Sequence, residues 1–428
     1  MAEPVLADPP ARALWRGRRF ATAWGAQTVS ELGDRVSELA LPLVAVTVLD
    51  ESASRVALLT AVVWLPNLLA LLVGTWVDRR PRPRMLLVNA DLARAVVVLT
   101  VPLAAVLGGL TFAHLLAVAL LLGAWSTLFR SAWQPFFVAL VPRERYVEAN
   151  GLFSATRSGS FIAGPALGGG LVQLLTAPYA LVVDGLSFLA SASLLRAADV
   201  PDRTPAPDDG SSLRRRLADG MRHVWRDPFL APLLRCVSWI NLFTFVVQAL
   251  LVVFASRELG LSAGTIGLAL GIGAAGGLLG AVVAGRFARR VGIGRTAVVG
   301  ALLFTLPTVA LPFAHGPELA KVAVLTAVEA VTGFGVMLFD VNVNAVMVAS
   351  IPDAVRARVQ GAFTTVNYGV RPLGAALGGL LAGLVGTGPA LALGGGLAAL
   401  AVLWLVGSPV LAVHGLEDVP DPDAAECE

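Results

Sequence analysis

Acidic side chains set at helical intervals inside apolar sequence are the first chemistry this chain offers. Gln27, Glu31, Asp34 and Glu38 follow one another at intervals of 4, 3 and 4. Glu329, Gly333, Val336, Asp340 and Asn344 follow at 4, 3, 4 and 4. These intervals place each set on one stripe of a helix. Asn241, Thr244 and Gln248 form a third polar face, and Ser126, Arg130, Trp133 and Gln134 a fourth. Charges are costly in hydrocarbon, so such residues are functional candidates by default. Desolvation disfavours the charged form of a carboxylate, so acids lining a poorly hydrated cavity could load and release a proton. Asp34 and Asp340 are the first candidates and Glu31 the third; the competing expectation is a fixed pair with Arg35 or another arginine. Asp91 and Arg94, three residues apart, read as a structural pair. Asp184 falls near a helix end and is expected to be solvated. Arg371, beside Pro372, suits either an anion contact or a pair between two halves of the molecule. Trp125, Trp133 and Trp239 could stack on a ring-bearing ligand or face lipid.

The elements that carry these stripes are membrane spans. The chain has 428 residues, of which 56% are hydrophobic and 14% charged, with mean hydropathy +0.76. That is about half the charge of a soluble domain, too little to coat two or three soluble domains. Apolar runs occur at 20–48, 55–77, 85–107, 112–139, 149–175, 178–197, 231–255, 264–287, 294–314, 318–349, 359–385 and 389–412. The expected fold class is an all-α integral membrane protein with twelve transmembrane helices. If the N-terminus is cytoplasmic, 24 of the 32 basic residues fall in cytoplasmic segments, 3 in outer loops and 5 within spans. This asymmetry predicts both termini inside the cell. The polar stretch 198–230 ends in a basic amphipathic helix expected on the membrane surface, with Leu217, Met221, Val224 and Trp225 inward. The expected divisions are a cytoplasmic N-terminus 1–19, a six-helix unit 20–197, a cytoplasmic linker 198–230, a second six-helix unit 231–412 and an acidic, disordered cytoplasmic tail 413–428.

Other function classes find little support. Two cysteines and four scattered histidines supply neither a disulfide framework nor metal-ligand spacing. No G-x-x-x-x-G-K-[ST] run suggests ATP-driven work. A membrane-embedded transferase would need His/Asp or paired-Asp clusters at a membrane face, and none is seen. The expectation is no catalytic residue, no cofactor, no metal and no nucleic-acid partner, because the basic residues are spread over short loops. The first apolar run is too long for a cleaved signal peptide. The near-exclusive use of arginine hints at a GC-rich bacterial genome.

The two six-helix units repeat one another. Residues 142–169 and 352–379 match without gaps at Pro142/Pro352, Gly151/Gly361, Phe153/Phe363, Gly159/Gly369, Gly164/Gly374, Ala166/Ala376, Leu167/Leu377, Gly168/Gly378 and Gly169/Gly379, an offset of 210. Gly74-xxx-Asp78-Arg79 and Gly285-xxx-Arg289-Arg290 agree at an offset of 211. Both copies run in the same direction, the parallel repeat of a two-lobed transporter.

The stretch from Gly74 through Asp78, Arg79 and Arg82 resembles the loop 2–3 signature of the major facilitator superfamily, G-x-x-x-D-R-x-G-R-R, with Pro81 where glycine is usual. Gly151, Ser160, Gly164-Pro165 and Gly168-Gly169 resemble its helix 5 antiporter signature. The runs SELGD at 30–34, EAN at 148–150 and PLG at 372–374 resemble the macrolide-efflux and enterobactin-exporter branch. The resemblance covers about residues 20–412. It implies that segments 1, 4, 7 and 10, which carry the polar stripes, line a central cavity holding Gln27, Glu38, Arg130, Trp133, Asn241, Gln248, Glu329 and Asn344. It also implies that Asp78 with Arg79 and Arg82 latches one conformation. The glycines of segments 5 and 8 could form either a sliding seam or static tight packing. The expected function is secondary active export of an amphipathic small molecule (a drug, an antibiotic or a siderophore-like metabolite) by proton antiport and rocker-switch alternating access. The expected location is the bacterial inner membrane, as a monomer in the lipid bilayer. A lipid or lipid-linked sugar flippase on the same fold is the alternative.

Overall fold

The computed structural model describes residues 14–198, 200, 213–352 and 355–420, and no strand occurs among them. Twelve long helices match the twelve apolar runs: α1 Arg18–Thr47, α2 Ala53–Asp78, α3 Pro83–Val106, α4 Phe112–Leu140, α5 Tyr146–Leu175, α6 Ala177–Ala197, α7 Leu230–Glu258, α8 Ala263–Val291, α9 Ile293–Phe313, α10 Glu318–Ala349, α11 Arg356–Val385 and α12 Thr387–Val406. Eleven are long and apolar enough to cross a bilayer. The exception is α1, whose middle holds Glu31, Asp34, Arg35 and Glu38. Its polar stripe is tolerable only because it faces protein and a cavity rather than lipid.

Prolines set the irregularities. α2 tightens into a 3₁₀ turn at Leu65–Leu69, where Pro66 has no N–H to donate. α9 does the same over Leu306–Phe313, with Pro307 at its start and Pro312 within. These steps re-aim side chains inside a span without leaving its backbone unsatisfied.

The sequence repeat is realised as a repeat of contacts. Gly168 lies against Val36 on α1, and Gly378 against Val246 on α7. A Cβ on Gly169 would fall on the Ala263 carbonyl and within 2.8 Å of Gly267 Cα, at the start of α8. A Cβ on Gly379 would lie 2.9 Å from the Ser54 carbonyl and 3.1 Å from Ala57 Cβ, at the start of α2. Adding 210 to 36, 54 and 57 gives 246, 264 and 267, so each lobe repeats the other's packing. α5 therefore crosses to α8, and α11 to α2, as the two seams between lobes.

Both seams are tight at the end of the molecule away from the termini. There Ser54 donates to the Gly379 carbonyl at 2.6 Å, and Gly264 N–H to Gln173 at 3.2 Å. Arg257 Nη2 pairs with Asp50 at 2.6 Å across the lobes. Toward the termini, α5 parts from α8, and nothing stands within 4 Å of a Cβ built on Gly151 or Gly159. The lobes enclose a cleft that opens at that end between α5 and α8, while α11 stays against α2, with Leu68 3.2 Å from a Cβ on Gly369 and Leu71 3.8 Å from one on Gly361.

Three expectations change. The linker helix, Leu213–Arg226, packs on protein: Gly220 abuts the Arg358 carbonyl, and Val224 is fully buried. Trp225 does not point inward; half exposed, it stacks under Arg235 at 4.9 Å. The side chain of Leu217 lies outside the described residues. The tail is not loose throughout. α12 stops at Val406, before Gly407-Ser408-Pro409, and the chain folds back so that Gly294 N–H bonds to the Val413 carbonyl at 2.9 Å. Val413 and Val419 are buried, and residues 421–428 lie outside the described part.

Candidate functional site

The N-terminal lobe holds a dry charge cluster behind the cavity wall. Arg94 on α3 is 2% exposed and sandwiched between the rings of Phe129 and Phe188 at 4.4 and 4.3 Å. Its guanidinium pairs with Asp91 and reaches Asp34 on α1 at 3.5 Å. Ser191 on α6 donates to Asp91 at 2.6 Å. Asp91 and Arg94 are thus the structural pair that their spacing suggested, and the same arginine also serves Asp34. Arg35 does not neutralise Asp34; it bonds Glu38 at 2.7 Å and lays its stem on Gly164.

Asp184 is a correction: it is fully buried rather than solvated, and Ser37 and Ser187 donate to it. The signal was present, since Asp184, Ser187 and Ser191 recur at 3 and 4 on α6, facing α1 and α3. Serines at such spacing pass for ordinary helix-packing residues, so the stripe escapes notice until its partners are known.

Asp34 presents 42% of its side chain to the cleft, and Glu38 57%. Glu31 accepts from Gln27 at 3.0 Å, with Arg157 of α5 at 3.9 Å. Its second oxygen is buried without a partner. Across the cleft, Glu329 and Asp340 on α10 have neither hydrogen bond nor ion pair among the described residues. Glu329 sits beside Gly273 of α8, whereas Asp340 is exposed. Asn344 lies nearer the open end, in a shallow groove with Val341, Val348 and Leu416. On α7, Gln248 is exposed and Asn241 accepts from Arg371 at 3.2 Å. Arg130 is exposed and donates to Asn67 at 2.6 Å. Trp133 is engaged by Phe129, Phe136 and Phe153 at 5.1–6.1 Å, an aromatic cluster inside one lobe.

The gating candidates divide by location. Asp78, Arg79 and Arg82 are exposed at the open end of α2 and in its loop to α3. Gly164 and Gly168 pack on α1, within one lobe, and Gly277 packs on Gly333 of α10, within the other. The seam between α5 and α8 is instead made by Gly169 against Gly267 and by Ile162 and Ala166 against Gly271. Pro165 contributes its carbonyl to that seam, against Gly267.

Two polar stripes therefore stand on opposite lobes, with a cleft between them and glycine seams at the end away from the termini. A family profile described as Major Facilitator Superfamily matches residues 23–375 and, in a second match, 241–423. The chain is 31% identical over 394 residues to "Multidrug efflux pump Tap" of Mycobacterium tuberculosis, covering 86% of this chain and 88% of that protein. It is 26% identical over 377 residues to "Uncharacterized MFS-type transporter YfiS" of Bacillus subtilis, covering 85% and 87%. Among solved structures, a bacterial homologue of the iron transporter ferroportin superposes with TM-score 0.73 at 17% identity, covering 91% of this chain and 98% of that one.

Proposed function

This chain belongs to the major facilitator superfamily of membrane transporters, and we propose that it is a proton-coupled exporter of an amphipathic small molecule in the bacterial inner membrane. The lobes would be residues 20–197 and 231–412, with 198–230 and both termini cytoplasmic. The arginine distribution supports that orientation, which makes the open cleft the cytoplasmic entrance. The efflux pumps among its relatives support outward transport.

The observation that carries the coupling is the placement of Asp34 and Asp340. Each lies on a polar stripe, on opposite walls of one cleft, and each reaches the open face. In this reading Arg94 holds Asp34 from behind. A proton on Asp34 removes a charge that closure of the cleft would otherwise bury. The protonated or substrate-loaded carrier can then change sides, and the empty, charged one cannot. One charge moved through 100 mV supplies ~2.3 kcal/mol, which sustains a roughly 50-fold gradient.

Everted vesicles test this. Candidate amphipaths should accumulate when the interior is acidified, and an uncoupler should abolish the accumulation. Accumulation that ignores the uncoupler would remove proton antiport.

A further inference from the structure

α2 brings one arginine from each lobe to the same place. Its helix gives way to the 3₁₀ turn after Trp64, and Trp64 before the turn and Asn67 within it each take one guanidinium. Asn67 is 5% exposed; its amide donates to the Trp64 carbonyl at 3.1 Å, which aims its oxygen at Arg130 Nη2, 2.6 Å away. Trp64 stacks on Arg371 of the other lobe at 4.8 Å, and Tyr368 and Phe245 complete the cage at 4.2 and 5.1 Å. Arg371 is further fixed by Asn241 through its Nε.

Trp64 and Asn67 lie three residues apart on α2, so the two guanidinium groups are held at the same level of the cleft, and Arg130 acts on Arg371 as a like charge. Neither has a carboxylate within ion-pair distance among the described residues. Asp34 and Glu38 act on Arg130 only at longer range, and Asp340 likewise on Arg371. Among the described residues, the terminal nitrogens of Arg371 make no hydrogen bond and Arg130 makes one, to Asn67. Two immobilised cations with free donor edges, walled by rings and open to the cleft, form a receptor for a planar anion.

We propose that Arg130 and Arg371 form an anion subsite bridging the two lobes, which takes the carboxylate or phosphate of an amphipathic ligand while Trp64 and Tyr368 contact its apolar or ring portion. This deepens the export reading by naming the ligand's chemistry, and it rests on that reading only for the ligand's direction of travel. An anion held from both lobes would also tie ligand occupancy to the distance between them.

The test is equilibrium binding to the full-length protein in phosphatidylcholine nanodiscs, with no gradient. The probes are a dansyl-tagged long-chain carboxylic acid and its methyl amide. The acid should bind roughly tenfold tighter or more, the factor that ~1.4 kcal/mol gives. Arg130→Gln and Arg371→Gln should each erase that preference, bringing acid binding down to the level of the amide. Arg371→Lys should keep part of it. Equal binding of acid and amide to the wild type, or a preference that survives Arg130→Gln, overturns the proposal. Because Arg130 is exposed, its variant stays informative even if Arg371→Gln misfolds. Discs containing phosphatidylglycerol separate the sources: competition by that lipid supports the site and makes a headgroup its ligand, and no competition supports a soluble amphipath. Failure of proton-driven export in vesicles would leave these binding results untouched.

Discussion

At the scale of residues, buried charge decides what can be changed. Arg94 neutralises Asp91 in a site that water does not reach. Removing one partner of a buried pair costs about 3–5 kcal/mol, so Arg94→Gln should lower the melting temperature and membrane level sharply. Asp91→Asn in the same chain should recover much of the loss; a stable single variant would show that the pair is not needed for folding. Asp34 and Asp340 are different, since both reach the cleft. Asp34→Asn or Asp340→Asn should retain ligand binding and downhill exchange but lose uphill, pH-driven export. Reconstituted variants with intact pH-driven export would remove both acids from coupling and leave Glu31, Glu38 and Glu329 to be tested. The stripes on α1 and α10 were legible because charge inside apolar sequence has few innocent explanations. What was not legible was pairing. Arg35 is next to Asp34 in the chain, yet adjacent residues on a helix point about 100° apart, and the arginine that serves Asp34 comes from α3. Asp184 was misplaced for the related reason that its partner Ser37 lies on another helix.

At the scale of elements, the glycine-rich faces of α5 and α8 do two jobs that the sequence could not separate. Gly164, Gly168 and Gly277 seat helices within a lobe, whereas Gly169 and Gly267 join lobes. The period of 3.6 makes all of them small-residue stripes, and only the neighbour tells them apart. The repeat did carry that information in part, because Gly169/Gly379 and Gly168/Gly378 were already paired by the 210 offset, and each pair turns out to meet equivalent neighbours. Gly277→Leu should therefore impair folding, because Gly277 packs against Gly333 inside one lobe. Gly169→Leu should fold and insert normally but fail to close the seam. Thermal unfolding separates the first outcome, and labelling of a cysteine at Gln248 from each side of the membrane reads the second. A Gly169→Leu protein that labels and transports like wild type would mean that the seam is not a contact of the working cycle.

At the scale of the whole molecule, the question is what holds the far end shut. Two kinds of contact cross it: the ion pair Asp50–Arg257 and the backbone-close seams of α5 with α8 and α2 with α11. Asp50 is 95% exposed, and an exposed pair contributes about 0–1 kcal/mol. Its loss should shift the open–closed equilibrium by no more than about fivefold, the factor that 1 kcal/mol gives. The seams bury backbone against backbone at several positions, so they should dominate. Asp50→Asn should accordingly change side-specific labelling only slightly, whereas Gly169→Leu should reverse it. Reading either result requires the orientation, which the same cysteines can establish. In a Cys427→Ser background, leaving the buried Cys236 in place, a cysteine at His315 should react with an impermeant reagent in intact cells. One at Glu144 should react only in everted vesicles. The opposite pattern would turn the open cleft outward and make the structure's state that of an outward-open carrier. A large effect of Asp50→Asn in either orientation would shift the weight from packing to electrostatics, and the closed end would then be a salt-sensitive gate rather than a packed one.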